Sequence, residues 1–138
     1  MDKTHTNYSP AVWYARIVGV VLLLAGILGL IINTSQNAVE PLLGLDVNLT
    51  HNFVHLLTGI IGVAIGFYAL RHSRMYALVF GVVYTVLAVW GMAEGSNFNP
   101  FDLFVRINTA DHILHLALGI AGIAAWAMSR DEVNERAV

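Results

Sequence analysis

Residues 108–122, NTADHILHLALGIAG, repeat at a distance of sixty places the pattern of residues 48–62, NLTHNFVHLLTGIIG. The shift lays Asn108 on Asn48, His115 on His55, Gly119 on Gly59 and Gly122 on Gly62. Histidine and the two glycines fall at i, i+4 and i+7, which is one face of an α-helix, and Gly66 continues that face in the first copy. Upstream of each copy a second alignment holds at sixty-two places: Tyr14-Ala15 with Tyr76-Ala77, Gly19-Val20-Val21 with Gly81-Val82-Val83, and Gly29 with Gly91. The repeating unit is therefore a pair of helices, over about 12–70 and again over about 75–128.

These helices are long and apolar enough to cross a bilayer. Stretches of about 20 apolar residues, the length that spans a hydrocarbon core, fall at roughly 12–32, 50–70, 75–93 and 110–128. Hydrophobic residues make up 57% of the chain, charged residues 12% and cysteine none, with a mean hydropathy of +0.68. Soluble domains carry about twice that charge, so a soluble enzyme, a nucleic-acid binder and a disulfide scaffold are excluded. The expected architecture is an all-α integral membrane four-helix bundle, one domain over 1–138, built from two tandem helical hairpins. A unit with an even number of spans enters the membrane the same way in both copies, so the expected pseudo-twofold axis runs along the membrane normal.

Charge sets the expected orientation. Lys3, Arg16, Arg71, Arg74, Arg130 and Arg136 lie on the side of the termini and the short link 71–74, leaving Arg106 alone opposite. The positive-inside rule then puts both termini in the cytoplasm. The first span has no small-residue cleavage motif after it and is expected to be retained. The tight link makes the second and third spans antiparallel neighbours. The long connections 33–49 and 94–109 share the outer side. Their cores, 38–48 and 99–108, are too apolar for free loops and are expected to lie in the interface or fold over the bundle mouth as short amphipathic segments, with Asp46 paired to Arg106.

Membrane helices associate through small residues that let backbones approach. The stripe of Gly59, Gly62, Gly119 and Gly122 accordingly marks the protein-facing side, with notches at Gly19 and Gly26 and at Gly81 and Ala88. The second and fourth helices are expected nearest the pseudo-axis.

The outer ends of those two helices carry His51, His55, His112 and His115. Asn48 and Asn108 are expected N-caps, and Asp111 favours the start of the fourth helix. Three readings stay open. The histidines could be structural, hydrogen-bonding across the bundle or to loop carbonyls. They could bind a divalent metal, since His51 and His55 at i, i+4 and His112 and His115 at i, i+3 are ligand spacings that Asp111 or Glu94 could complete, or His55 and His115 could ligate haem b between Gly59 and Gly119. They could instead line a proton-linked or ligand-binding pocket.

The strings FVRINTADHILHLALGIAGI and LLGLDVNLTHNFVHLLTGIIG resemble a family of small bacterial four-helix membrane proteins known as a domain of unknown function. The specific element is Asn-x-x-Asp-His-x-x-His-Leu at 108–116, which the first copy alters to His51-Asn52. The resemblance implies the four-helix architecture and a bacterial inner or plasma membrane location; it implies no activity. No nucleophile motif, phosphate loop or cysteine pair points to an enzyme. The leading expectation is a non-enzymatic accessory, scaffolding or binding protein, and the alternative is a haem- or metal-binding redox protein. Expected partners are the lipid bilayer and a membrane protein or second copy of this chain.

Overall fold

A computed structural model describes residues 8–35, 37–95, 98–100, 105 and 107–129. Helix α1 covers Pro10–Ile32, α2 Leu49–Tyr68, α3 Ser73–Glu94 and α4 Thr109–Met128. The ends follow from local chemistry: Pro10 opens α1 where its missing N–H costs nothing, and asparagine side chains cap α2 and α4. All four helices are long and apolar enough to cross a membrane, and a third or slightly more of each span is buried within the chain. Much of the remaining apolar surface, including Ile17, Leu24, Ile31, Met75 and Ile113, faces outward. Water would penalise that surface and acyl chains would not, so the chain is a multi-pass membrane protein in contact with lipid.

The helices pack as two pairs, α1 on α2 and α3 on α4. Glycine permits both contacts. A Cβ on Gly19 would lie 2.6 Å from the Gly62 carbonyl carbon, and one on Gly81 would lie 2.7 Å from the Ile123 nitrogen and 3.0 Å from the Gly122 carbonyl carbon. Gly59 faces Leu22 and Leu23 of α1, while Gly119 faces Gly81 and Thr85 of α3. This corrects the expectation that the stripes of α2 and α4 lie nearest a common centre: each stripe is turned to the other helix of its own hairpin. Helix α1 makes the principal backbone contacts between the pairs, packing on both α3 and α4.

A second correction concerns α2 and α3. The chain does reverse between them, through a single 3-10 turn at Leu70–His72, yet the two helices scarcely touch. Short links enforce direction; only side-chain shape enforces contact, and here the close contacts of both helices are made with α1 and α4. The main core lies where α1, α3 and α4 meet, around Tyr14, Val18, Leu22, Tyr76, Phe80 and Tyr84. Tyr14 ties two pairs together by donating its hydroxyl to the Leu118 carbonyl at 2.9 Å. Arg16 reaches the far end of α2, its Nε donating to the Gly66 carbonyl at 2.7 Å.

The connection after α1 is a β-hairpin and not the amphipathic segment expected from its sequence. Strand β1, Glu40–Leu42, pairs antiparallel with β2, Leu45–Val47, and Leu42 stands opposite Leu45. Leu43 and Gly44 form the two-residue turn, with φ of 55° and 87°. Two left-handed residues in succession match the twist of the strands they join. Asn33 fastens the hairpin's base by donating Nδ2 to the Ala38 and Val47 carbonyls, each at 3.0 Å. Of the second connection, Phe98, Val105 and Ile107 are buried beside Leu87. Arg106, and with it the expected pair to Asp46, lies outside the described residues, as do Phe101, Asp102, Lys3, Arg130 and Arg136.

Candidate metal centre

The helix starts place the histidines. Asn48 Oδ1 accepts the His51 N–H at 3.0 Å, and Asn108 Oδ1 accepts the Asp111 N–H at 3.1 Å. His51 and Asp111 thus occupy the same third position of α2 and α4. At about 1.5 Å of rise per residue, His55 and His115 each sit about 9 Å into their helices. Both are buried, and so is His51.

These three side chains meet. One ring nitrogen from each of His51, His55 and His115 lies within 4.8 Å of the others. Ring centroids are 4.3 Å apart for His51 and His55, 6.1 Å for His51 and His115, and 6.4 Å for His55 and His115. Tyr84 closes one side, edge-on to His115 at 4.8 Å. A tetrahedral zinc ion with bonds of 2.0–2.1 Å would draw three nitrogens to about 3.3 Å apart, inside the 4.8 Å that now bounds them.

One ligand is oriented already. His51 Nδ1 lies 2.8 Å from the Asp46 carbonyl. A carbonyl only accepts, so Nδ1 carries the proton and Nε2 presents its lone pair. That Nε2 is buried with no partner among the described residues, and His115 Nδ1 is in the same condition. A buried polar nitrogen left unmatched costs about 1–3 kcal/mol. Donating one ring N–H to a backbone carbonyl while offering the other nitrogen is the arrangement found in metal-ligating histidines.

Asp111 holds the start of α4 and the loop before α2 through one carboxylate oxygen. Its Oδ2 accepts the backbone N–H of Asn108 at 2.9 Å, completing a capping box, and that of Asp46 at 3.0 Å. The Asp46 residue is therefore held from both sides, its N–H by Asp111 and its C=O by His51. Asn108 Nδ2 adds a hold on the turn through the Gly44 carbonyl at 2.9 Å. The hairpin between α1 and α2 thereby becomes the outer support of His51, a link that no spacing in the sequence announces.

His112 also stands apart from the trio. It packs over Gly91 and meets Phe98 edge-on at 5.5 Å, as Asn52 packs over Gly29 and donates to the Asn33 carbonyl at 2.9 Å. Both residues fill a notch. Glu94 is exposed and accepts from Trp90, away from the trio. The space that a haem ring would need beside Gly59 and Gly119 is filled by α1 and α3.

The trio lines a chamber of about 260 Å³ whose other walls include Val83, Leu87, Phe98, Val105 and Ile107. Apart from the imidazoles, the polar side chains on it among the described residues are Thr58 and Tyr84, and Thr58 Oγ1 donates to the Val54 carbonyl at 2.6 Å. Such a chamber can hold an ion on neutral nitrogen ligands and keep bulk water from it.

No curated protein and no solved structure matches the chain. A family model for a domain of unknown function, DUF4383, matches residues 12–128 and so takes in all three histidines and most of each helix; the chain belongs to that family.

Proposed function

We propose that this chain is a small membrane binding protein that holds one divalent transition-metal ion on His51, His55 and His115. The observation that carries the reading is the convergence of three buried ring nitrogens, from two helices, within 4.8 Å of one another. An all-nitrogen set without thiolate suits zinc, cobalt, nickel or copper, and does not suit calcium or magnesium. The structural alternative would have the rings hydrogen-bonding across the bundle or to loop carbonyls, and His51 does donate to the Asp46 carbonyl of the loop before α2. The nitrogens left without a partner among the described residues, His51 Nε2 and His115 Nδ1, are the ones an ion would engage.

The proposed bundle consists of two copies of one hairpin. Supporting this are paired contacts that interconvert on adding sixty-two and sixty: Gly19 with Gly62 and Gly81 with Gly122, Leu23 with Gly59 and Thr85 with Gly119, Gly29 with Asn52 and Gly91 with His112. On this reading His55 and His115 are symmetry mates and His51 is the asymmetric third ligand. The proposed orientation has both termini cytoplasmic in a bacterial inner or plasma membrane, which puts the ion at the outer end. A membrane-protein partner or a second copy of the chain completes the proposal.

Purified protein titrated with cobalt(II) tests the site. One ion per chain is expected, with affinity falling at least about tenfold in His51→Ala, His55→Ala and His115→Ala and holding in His112→Ala. Absence of saturable binding, or equal loss in His112→Ala, overturns the assignment.

A further inference from the structure

The chamber continues sideways into a second cavity. Thr58, Val79 and Phe80 line both the chamber and this neighbouring cavity of about 430 Å³, which continues between α2 and α3 past Ile61, Ile65 and Met75. The two cavities follow from the scant contact between α2 and α3. Their rim is on the lipid face: Val79 is 53% exposed, Ile61 51% and Val83 46%. From His55 to Ile65 the groove runs about 15 Å along α2, the depth of one leaflet of acyl chains.

Charge selects what fits. Three neutral imidazoles leave a divalent ion with its full charge inside a nearly apolar chamber, and no acidic side chain lines it among the described residues. The nearby Asp111 does not line the chamber, and its Oδ2 accepts two backbone N–H groups. A metal held by three histidines also keeps a coordination position open. An ion so placed attracts an anionic oxygen to its open position, and the lateral route between α2 and α3 admits lipid-soluble molecules.

We propose that the open position of this metal centre takes the carboxylate of a single-chain fatty acid that enters from the bilayer between α2 and α3 and lays its tail along that groove. The proposal rests on the metal-centre reading above. The imidazoles hold the cation, the groove supplies the tail site, and binding involves no covalent chemistry.

Full-length, cobalt-loaded protein in phosphatidylcholine nanodiscs provides the test, with oleate and acetate as probes. Oleate is expected to shift the visible cobalt band and to saturate near one per chain, while equimolar acetate leaves the band unchanged. Ile61→Trp, which fills the neighbouring cavity and does not line the chamber of the three histidines, is expected to keep one cobalt per chain and to weaken the oleate response at least tenfold. Cobalt bound normally but indifferent to oleate overturns the fatty-acid proposal alone. So does an equal response to acetate, which means entry from water, or an unchanged response in Ile61→Trp. Failure of the wild type to bind cobalt overturns the metal centre and this proposal with it.

Discussion

Asp111 is the residue whose role changed most between sequence and structure. As a carboxylate beside two histidines it reads as a metal ligand, yet its Oδ2 is spent on the N–H groups of Asn108 and Asp46. Its influence on the proposed ion runs through the Asp46 peptide to His51, making it a positioning residue. Losing such an outer support costs about 10–100-fold in metal affinity. Asp111→Asn is therefore expected to weaken cobalt binding about tenfold, and Asp111→Ala further, with about 1 kcal/mol of cap stability also lost. Cobalt titration beside thermal melts checks this, and wild-type affinity in both variants would contradict it. At the hairpin tip, Leu43 holds φ of 55° while 96% exposed. A branched side chain gains nothing there and bears the left-handed strain of about 1–2 kcal/mol. Leu43→Asn is expected to raise the melting temperature by a few degrees; a fall would show that the side chain has an anchoring role.

Helix pairing rests on backbone approach, which one methyl group can block. A Cβ at Gly62 would sit 2.6 Å from Gly19 Cα, and one at Gly122 would sit 2.9 Å from Gly81 Cα. Gly62→Val and Gly122→Val are each expected to cost about 1–3 kcal/mol by forcing their hairpin apart. Ile61→Val, on the lipid face, should be close to neutral. Thermal melts of the purified variants decide it, and tolerance of both glycine changes would refute the pairing. The glycine stripes were legible because their spacing marks one helix face. Which helix they meet was not, since a bare backbone is equally smooth to any neighbour and the link 71–74 constrains direction alone. The β-hairpin escaped notice for a chemical reason: Leu43-Gly44 lacks the Asn-Gly or Asp-Gly pair that announces such a turn.

Taken whole, the molecule is a lipid-exposed bundle with polar chemistry gathered at one end. The four spans were readable almost to their boundaries, because length and hydropathy leave few alternatives for a chain this apolar. The gathering of His55 and His115 was readable from the sixty-place echo, while the recruitment of His51 and the exclusion of His112 depend on rotation about the helix axes, which spacing does not specify. The proposed orientation predicts cytoplasmic signal from a reporter fused at residue 72 and none from one at residue 98; the reverse pattern would invert the topology. The metal centre itself is most directly tested by X-ray absorption at the zinc edge, on purified protein loaded with one equivalent of zinc. Three imidazole nitrogens at about 2.0–2.1 Å are expected, falling to two in His51→Ala. A first shell with fewer than three imidazoles in the wild type, or one unchanged by that substitution, would contradict the site.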